Sequence, residues 1–314
     1  MRIFYLTDGD HRSGGQLVNL DHVTTLRRLG YDARLLLVPQ PGKPAEVQFP
    51  PGRAEPWHAD LHSLTAADYV VVGEMHGLAA QLLNDSPARK LIHNQNLYYT
   101  FVAFRDLQVI RNWGCRGILT CSGVTAEALR RMGWDGPTWP VRPFIDPVFA
   151  TTPPARPRLS VAAMPRKRPH DSRLIRGLAR SWRPTLEFDF HEIVGLPRQE
   201  VAKVMAASDI FVSLSRDEGL GLPPLEAMAT GALVVGFHGG GGREYATPEN
   251  GDWFDDDQVF EVAELLVQRL DQLAAGEGFE ARREAGRRTA AAFSAERFEA
   301  ELAAAWRQIA GPPG

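Results

Sequence analysis

Between Asp209 and Gly236 the backbone has few ways to satisfy itself. The apolar run Asp209-Ile210-Phe211-Val212-Ser213-Leu214 leads into Ser215-Arg216-Asp217-Glu218-Gly219-Leu220-Gly221-Leu222-Pro223-Pro224-Leu225-Glu226-Ala227-Met228-Ala229. A second apolar run, Ala232-Leu233-Val234-Val235-Gly236, follows. Read locally this is strand, glycine loop, helix, strand, a unit that joins two parallel strands. Pro223 and Pro224 open the helix, where first-turn N–H groups have no intrahelical acceptor to lose. Glu218 stands before the glycines and Glu226 lies in the first turns of the helix, so any site here is built around two carboxylates.

The same alternation runs through the rest of the chain. Ile3-Phe4-Tyr5-Leu6 reads as a buried strand, residues 16–29 as a helix with Leu17, Leu20, Val23, Leu26 and Leu29 on one face, and residues 33–38 as the next strand. Residues 39–66 are proline-rich and irregular, with a short strand at Trp57-His58. Further strands are expected at 69–72, 90–92 and 117–121. An aromatic helix carries Tyr98, Tyr99, Phe101 and Phe104, and Ser122 caps a helix over 123–132. A proline-rich linker covers 140–158. Beyond it come strands at 159–163 and 186–190, a helix capped by Asp171 or Ser172, a helix at 198–206, and three helices near 257–274, 279–293 and 295–311.

At 314 residues the chain suits two domains of roughly 150 residues each. The expected division is 1–145, 146–294, and a last helix, 295–314, that crosses back to the first domain. A net charge of −3 gives no general pull toward nucleic acid or an anionic membrane. Cys115 and Cys121 are poorly spaced for metal and read as reduced thiols. The N-terminal apolar run is too short for a secretory signal, which points to the cytoplasm. Gly-x-Gly-x-x-Gly is absent after the first strand, and no acidic residue ends the second, so a nicotinamide cofactor is not expected.

In doubly wound sheets ligands sit beyond the carboxyl ends of the strands, where Asp8, Glu74, His76, His93, Asn94, Gln95, Asn96 and Ser122 collect. In the second half the amides of Gly219, Leu220, Gly221 and Leu222 face the same way. A diphosphate carries about two negative charges, more than a helix terminus neutralises alone. Arg166-Lys167-Arg168, ending another strand, can supply fixed cations. Carboxylates beside a diphosphate are useful as acceptors for neutral hydroxyls. A nucleotide-sugar carries diphosphate, ribose and sugar together.

Glu218, seven residues, then Glu226, within Glu-Gly-Leu-Gly-Leu-Pro-Pro-Leu-Glu-Ala-Met-Ala, resembles the signature of retaining GT-B glycosyltransferases, family 4 in particular. Ser13-Gly14-Gly15, Cys121-Ser122, Phe144-Ile145-Asp146 and Gly241-Gly242-Arg243-Glu244 resemble further stretches of that family. The resemblance implies an α/β fold of two doubly wound Rossmann-like domains facing a central cleft. It gives Glu226 the ribose hydroxyls, Glu218 the donor sugar, and Arg166 with Lys167 or Arg168 the diphosphate. Gly14 and Gly15 match the N-terminal glycine loop and are implied to bind the donor, and His76 matches the catalytic-site histidine. Glu74, Asn94, Gln95 and Asn96 are candidates for acceptor or sugar contact.

The expected activity is transfer of a sugar from a nucleotide-sugar to a hydroxyl of a carbohydrate, lipid-linked or natural-product acceptor, with retention and no metal or other cofactor. Bacterial polysaccharide biosynthesis is the implied setting. A monomer or homodimer fits, and peripheral membrane contact stays open. The alternative is a catalytically silent nucleotide-sugar-binding partner of a glycosylation complex.

Overall fold

The computed structural model describes residues 1–9, 14–38, 46–150 and 158–313. Ser13 and residues 39–45 of the irregular segment 39–66 lie outside the described residues, as does 151–157 of the expected linker. The chain divides into two compact units, Met1–Pro143 with Glu296–Gly314, and Phe144–Ala295.

The first unit is built on a parallel sheet. Its elements are β1 (Ile3–Thr7), α1 (Gly14–Arg28), β2 (Ala33–Leu37), β3 (Trp57–His58), β4 (Tyr69–Gly73), α2 (Gly77–Leu82) and β5 (Arg89–Asn94). They are followed by α3 (Leu107–Asn112), β6 (Cys115–Thr120), α4 (Gly123–Met132) and β7 (Thr138–Pro140). The strand order is β3-β2-β1-β4-β5-β6-β7, with Ile3 in register with Ala33 on one side and Tyr69 on the other. The order reverses between β1 and β4, the place where open α/β sheets leave a crevice. Apolar runs such as Ile3–Leu6 are buried throughout, as strands covered on both faces must be. Phe4 and Leu6 join Val70, Val72, Ile92 and Trp113 in one core, while Tyr5 points to the opposite face and meets His22 of α1.

One expectation fails here. The aromatic segment is not an α-helix: only Leu97–Tyr99 forms a 3-10 turn, with the Asn96 side chain accepting from the Tyr98 N–H. Turns follow, and the true helix, α3, begins after Asp106, whose carboxylate caps the Val109 N–H. Phe104 is buried in the core, whereas Tyr98 and Phe101 are exposed. The short strand β7 was not anticipated.

The second unit contains β8 (Leu159–Ala163), α5 (Pro169–Trp182), β9 (Phe188–Glu192), α6 (Arg198–Ala206), β10 (Ile210–Glu218), α7 (Leu222–Ala229), β11 (Leu233–Gly240), β12 (Asp252–Phe254), α8 (Val259–Ala274) and α9 (Glu280–Ala291). Its parallel order is β12-β11-β10-β8-β9, so the reversal falls between β8 and β10. Helix α5 starts at Pro169, and neither Asp171 nor Ser172 caps it. Strand β9 lies two residues later than its apolar pattern suggested. The linker is partly built into the fold: Phe149 is fully buried in a 3-10 turn, Pro147–Phe149, capped by Asp146.

The last helix, α10 (Ala295–Ala310), packs on the first unit. Trp306 is fully buried, its indole N–H donates to the Tyr5 hydroxyl at 3.2 Å, and Arg142 pairs with Glu301 at 2.7 Å. No helix among the described residues is long and apolar enough to cross a membrane.

Candidate functional site

In the second unit, the loop after β8 and the end of β10 lie on either side of the strand-order reversal. The ladder between β10 and β11 is regular from Ile210 to Ser215, then shifts register so that Glu218 pairs with Gly240. Irregularities of this kind re-aim side chains at the rim of a sheet. Asp217 sits inside the shift with φ of 49°, a left-handed conformation that costs a non-glycine residue about 1 kcal/mol.

Lys167 grips this bend. Its ammonium donates to the carbonyls of Arg216 (2.7 Å) and Asp217 (2.9 Å) and pairs with Glu218 Oε1 at 2.9 Å. Those three contacts match its three donors. Arg168, one residue on, is committed inside the domain, with a side chain 1% exposed. Its guanidinium stacks 3.9 Å from the Phe237 ring centre and donates to Ser215 O, Asp171 and Asp256. Arg166 is exposed and has no hydrogen bond or ion pair among the described residues. The three adjacent cations therefore divide into a free one, one fixed to Glu218, and one that pins the loop.

The turn from β10 into α7 depends on glycines. Gly221 is the N-cap with φ of 83°, and its carbonyl accepts from the Tyr245 hydroxyl at 2.6 Å. Gly219, Leu220 and Gly221 are buried and Leu222 is half-buried. Against them lies the glycine run after β11, which continues into a 3-10 turn, Gly241–Glu244. A Cβ on Gly241 would sit 2.5 Å from Glu218 O and 2.6 Å from Leu220 N, distances no side chain tolerates. Gly239, which approaches Ser215 C and Arg216 N, and Gly241 thus form a close-packed seam with the backbone at 215–220. Gly241→Ala should displace Glu218, lower the melting temperature by about 3–10 °C, the effect of about 1–3 kcal/mol of overpacking, and weaken ligand binding. A calorimetric melt with the same Tm as wild type would contradict the seam.

Glu226, on α7, is 7% exposed. Burial pushes its carboxyl up to about 7, Arg198 pulls it down, and Asp146 pushes it further up. Arg198, the first residue of α6, donates to Glu226 Oε1 at 3.2 Å. Sequence reasoning missed Arg198, which had marked only a helix start. Its partners are distant along the chain and leave no periodic signal.

In the first unit, Gly14 and Gly15 begin α1 and are exposed. The Gln95 amide donates to Gly15 O (3.0 Å) and to Asn19 Oδ1 (3.1 Å), so it ties the end of β5 to that helix. Glu74, just beyond β4, is buried and accepts from the Gln95 N–H at 3.2 Å; burial pushes it up to about 7. His76 lies before α2, 3.4 Å from the Gln16 amide. Burial lowers it, with Asp8 opposing. Asn94 is buried and donates to Thr100 Oγ1 at 2.7 Å, while its Oδ1 has no partner among the described residues. Asn96 is engaged as a cap. Glu74, His76, Gln95, Gly14 and Gly15 thus gather at the β1/β4 reversal, and Asn94 faces the turn beside it. Both cysteines are free, and burial pushes each thiol up to about 12.

Comparison with known proteins identifies the family and the fold. Residues 187–290 match the family described as glycosyl transferases group 1. An α-1,6-glucosyltransferase from Actinobacillus pleuropneumoniae serotype 7 (strain AP76) is 30% identical over 270 residues, covering 84% of this chain and 82% of that protein. Among solved structures, sucrose-phosphate synthase from Thermosynechococcus elongatus superposes with a TM-score of 0.70 at 16% identity, covering 98% of this chain and 99% of that one. The Anabaena protein HepE in complex with UDP-glucose gives 0.67 at 15% identity, covering 98% and 100%. The two parallel-sheet α/β domains are those of the GT-B fold. With a relative of that identity and coverage behind it, the chain belongs to the group 1 glycosyl transferases and is a glycosyltransferase.

Proposed function

We propose that the protein moves glucose from a nucleotide-glucose donor to a hydroxyl of a carbohydrate, lipid-linked or natural-product acceptor, retaining configuration and needing no metal ion. The observation that carries this reading is the grouping, at one strand-order reversal, of a buried carboxylate (Glu226), a second carboxylate held by Lys167 (Glu218), and the free cation Arg166. The glucosyl part is supported by the activity named for the Actinobacillus relative.

In this reading Glu226 accepts hydrogen bonds from the ribose hydroxyls and Glu218 from the donor sugar. Arg166 and the 219–222 amides hold the diphosphate; Lys167, whose three donors are spent on the Glu218 bend, adds its charge beside them, and Arg168 is enclosed. The bond from the anomeric carbon to the diphosphate breaks, and the acceptor oxygen bonds to that carbon on the face just vacated. A phosphate oxygen takes the acceptor's proton. The cations act where negative charge grows, which lowers the barrier more than it tightens the ground state. Glu74, His76, Asn94 and Gln95 are assigned to the acceptor side, with Gly14 and Gly15 at the helix start beside them.

A thermal-shift screen with UDP-, GDP-, ADP- and dTDP-glucose tests the donor class, since a ligand at about 100 times its Kd adds about 2.7 kcal/mol. No shift with any of them would sink it. NMR of the first-formed product reads the anomer, and an inverted product overturns retention. Unchanged turnover in excess EDTA is the expected result for metal independence.

Binding also has a pH signature. Ribose hydroxyls donate to the ionised carboxylate, so a Glu226 held at about 7 makes donor Kd about tenfold weaker at pH 6 than at pH 8. The donor diphosphate, being a diester, has no ionisation of its own there. Glu226→Gln should flatten the profile. For the unliganded fold the sign is opposite: an acid raised from 4.5 to about 7 favours the folded state at low pH, and that contribution is lost as pH rises through 7.

A further inference from the structure

Arg198 lies between two carboxylates. Its Nη2 donates to Glu226 Oε1 at 3.2 Å, its Nε is 3.3 Å from Asp146 Oδ2, and its guanidinium sits 5.6 Å from the centre of the Phe149 ring. Asp146 is itself fixed, because its Oδ1 accepts from the Val148 N–H at 3.0 Å. The pair is an odd one for stability alone. Arg198 and Asp146 are each about two-fifths exposed, whereas Glu226 is almost enclosed. Exposed ion pairs contribute little and enclosed carboxylates are costly to ionise, so a packed apolar side chain at 226 would serve the fold better. Contact with Arg198 at Oε1 leaves Oε2 and further lone pairs on Glu226 for a ligand.

We propose that Arg198 is a positioning residue of the donor site: it aims Glu226 and holds it in the ionised state that a ribose diol needs, and Asp146 sets how strongly it does so. The inference rests on Glu226 being the ribose carboxylate. Other charged or titratable groups near α7 do not compete for the role. Glu218 at the end of β10 is paired with Lys167, and the Tyr245 hydroxyl is directed to Gly221 O. His238 of β11 is turned to Gly240 and Asp255. Arg287 of α9 lies against Gly231, beyond the far end of the helix.

Isothermal titration of UDP-, GDP- and ADP-glucose from about pH 6 to pH 9 identifies the tightest donor and the midpoint of its pH dependence. With that donor, Arg198→Gln should weaken Kd about fivefold at pH 7, move the midpoint up by about one unit, and lose most of the deficit by pH 9. Arg198→Lys should restore much of the affinity, and Asp146→Asn should move the midpoint down. A structural role alone would weaken binding equally at every pH, and that result overturns the proposal. So does an Arg198→Gln protein indistinguishable from wild type while Glu226→Gln binds weakly, a result that leaves the donor reading standing. If Glu226→Gln also binds like wild type, or no donor binds, the ribose assignment falls and takes this inference with it.

Discussion

Replacing Arg166 with alanine is expected to lower kcat by about 10²- to 10³-fold, the range seen when a preorganised charge-stabilising donor is removed from a reacting centre. Three observations motivate the prediction. Arg166 follows β8 at the strand-order reversal, it is exposed, and it has no partner among the described residues. Its neighbours are already engaged, Lys167 by the Glu218 bend and Arg168 by Phe237, Asp171 and Asp256. A guanidinium held open beside occupied cations suits a ligand whose charge increases during reaction. KM for the donor should change less than kcat, because charge on the leaving diphosphate is greatest at the transition state. Steady-state kinetics with the donor chosen by the thermal screen provide the check. A loss confined to KM would make Arg166 a ground-state contact, and unchanged kinetics would remove it from the site. Arg168→Ala should behave differently: its first effect is on stability, because it strips the Asp256 and Ser215 contacts from a buried position.

The second large effect concerns the fold. Trp306→Ala is expected to destabilise the first unit by about 3–5 kcal/mol, a fall in Tm of about 6–20 °C for a unit of this size. Trp306 is fully buried, packs edge-on to Tyr69 with ring centres 5.6 Å apart, and donates to the Tyr5 hydroxyl. Beyond it, Tyr69 and Tyr31 each donate a hydroxyl hydrogen bond to the carbonyls of Ile309 and Gly311 at 2.9 Å. Removing the indole leaves a large void and takes one of two partners from the buried Tyr5 hydroxyl, which keeps His22 Nδ1 at 2.9 Å, so the void is the main penalty. Differential scanning calorimetry reads the shift, and a loss under 1 kcal/mol would mean that α10 is held mainly by its surface pairs such as Arg142–Glu301.

Much of the fold was legible because its determinants are local. Continuous apolar runs such as Val70–Val72 and Leu233–Val235 are buried on both sheet faces, and no other element of that length and composition is favoured. Ser122 as cap of α4 was readable because donor and acceptor are three residues apart. The errors were local too, where two short-range preferences competed. After β5, the helix-like spacing of Tyr98 to Phe104 yielded to Asn96, whose side chain closes a tight turn, and to Asp106, which starts the helix later. Tyr98 and Phe101, both exposed, have little burial to gain from a full helix.

Part of the candidate site was legible and part was not. Glu218, Glu226 and the glycines between them announce themselves by chemistry and spacing. Arg166, Lys167 and Arg168 are three adjacent cations with nothing in the sequence to rank them. Their division of labour comes from partners up to 88 residues away. The Arg198–Glu226 contact spans 28 residues and follows no period. The sequence marks Gly241-Gly242-Arg243-Glu244 only by resemblance, and only the approach of Gly239 and Gly241 to the backbone at 215–220 reveals a packed seam.

The sequence by itself determined two parallel α/β domains and the carboxylate-bearing turn, since each follows from patterns within a few residues. Only the tertiary structure decided which cation is free and which is locked. It also decided that Glu226 is buried against Arg198, and that a glycine seam sets the position of Glu218. Those outcomes depend on desolvation and on close contacts between distant segments, which exist only once the chain has folded.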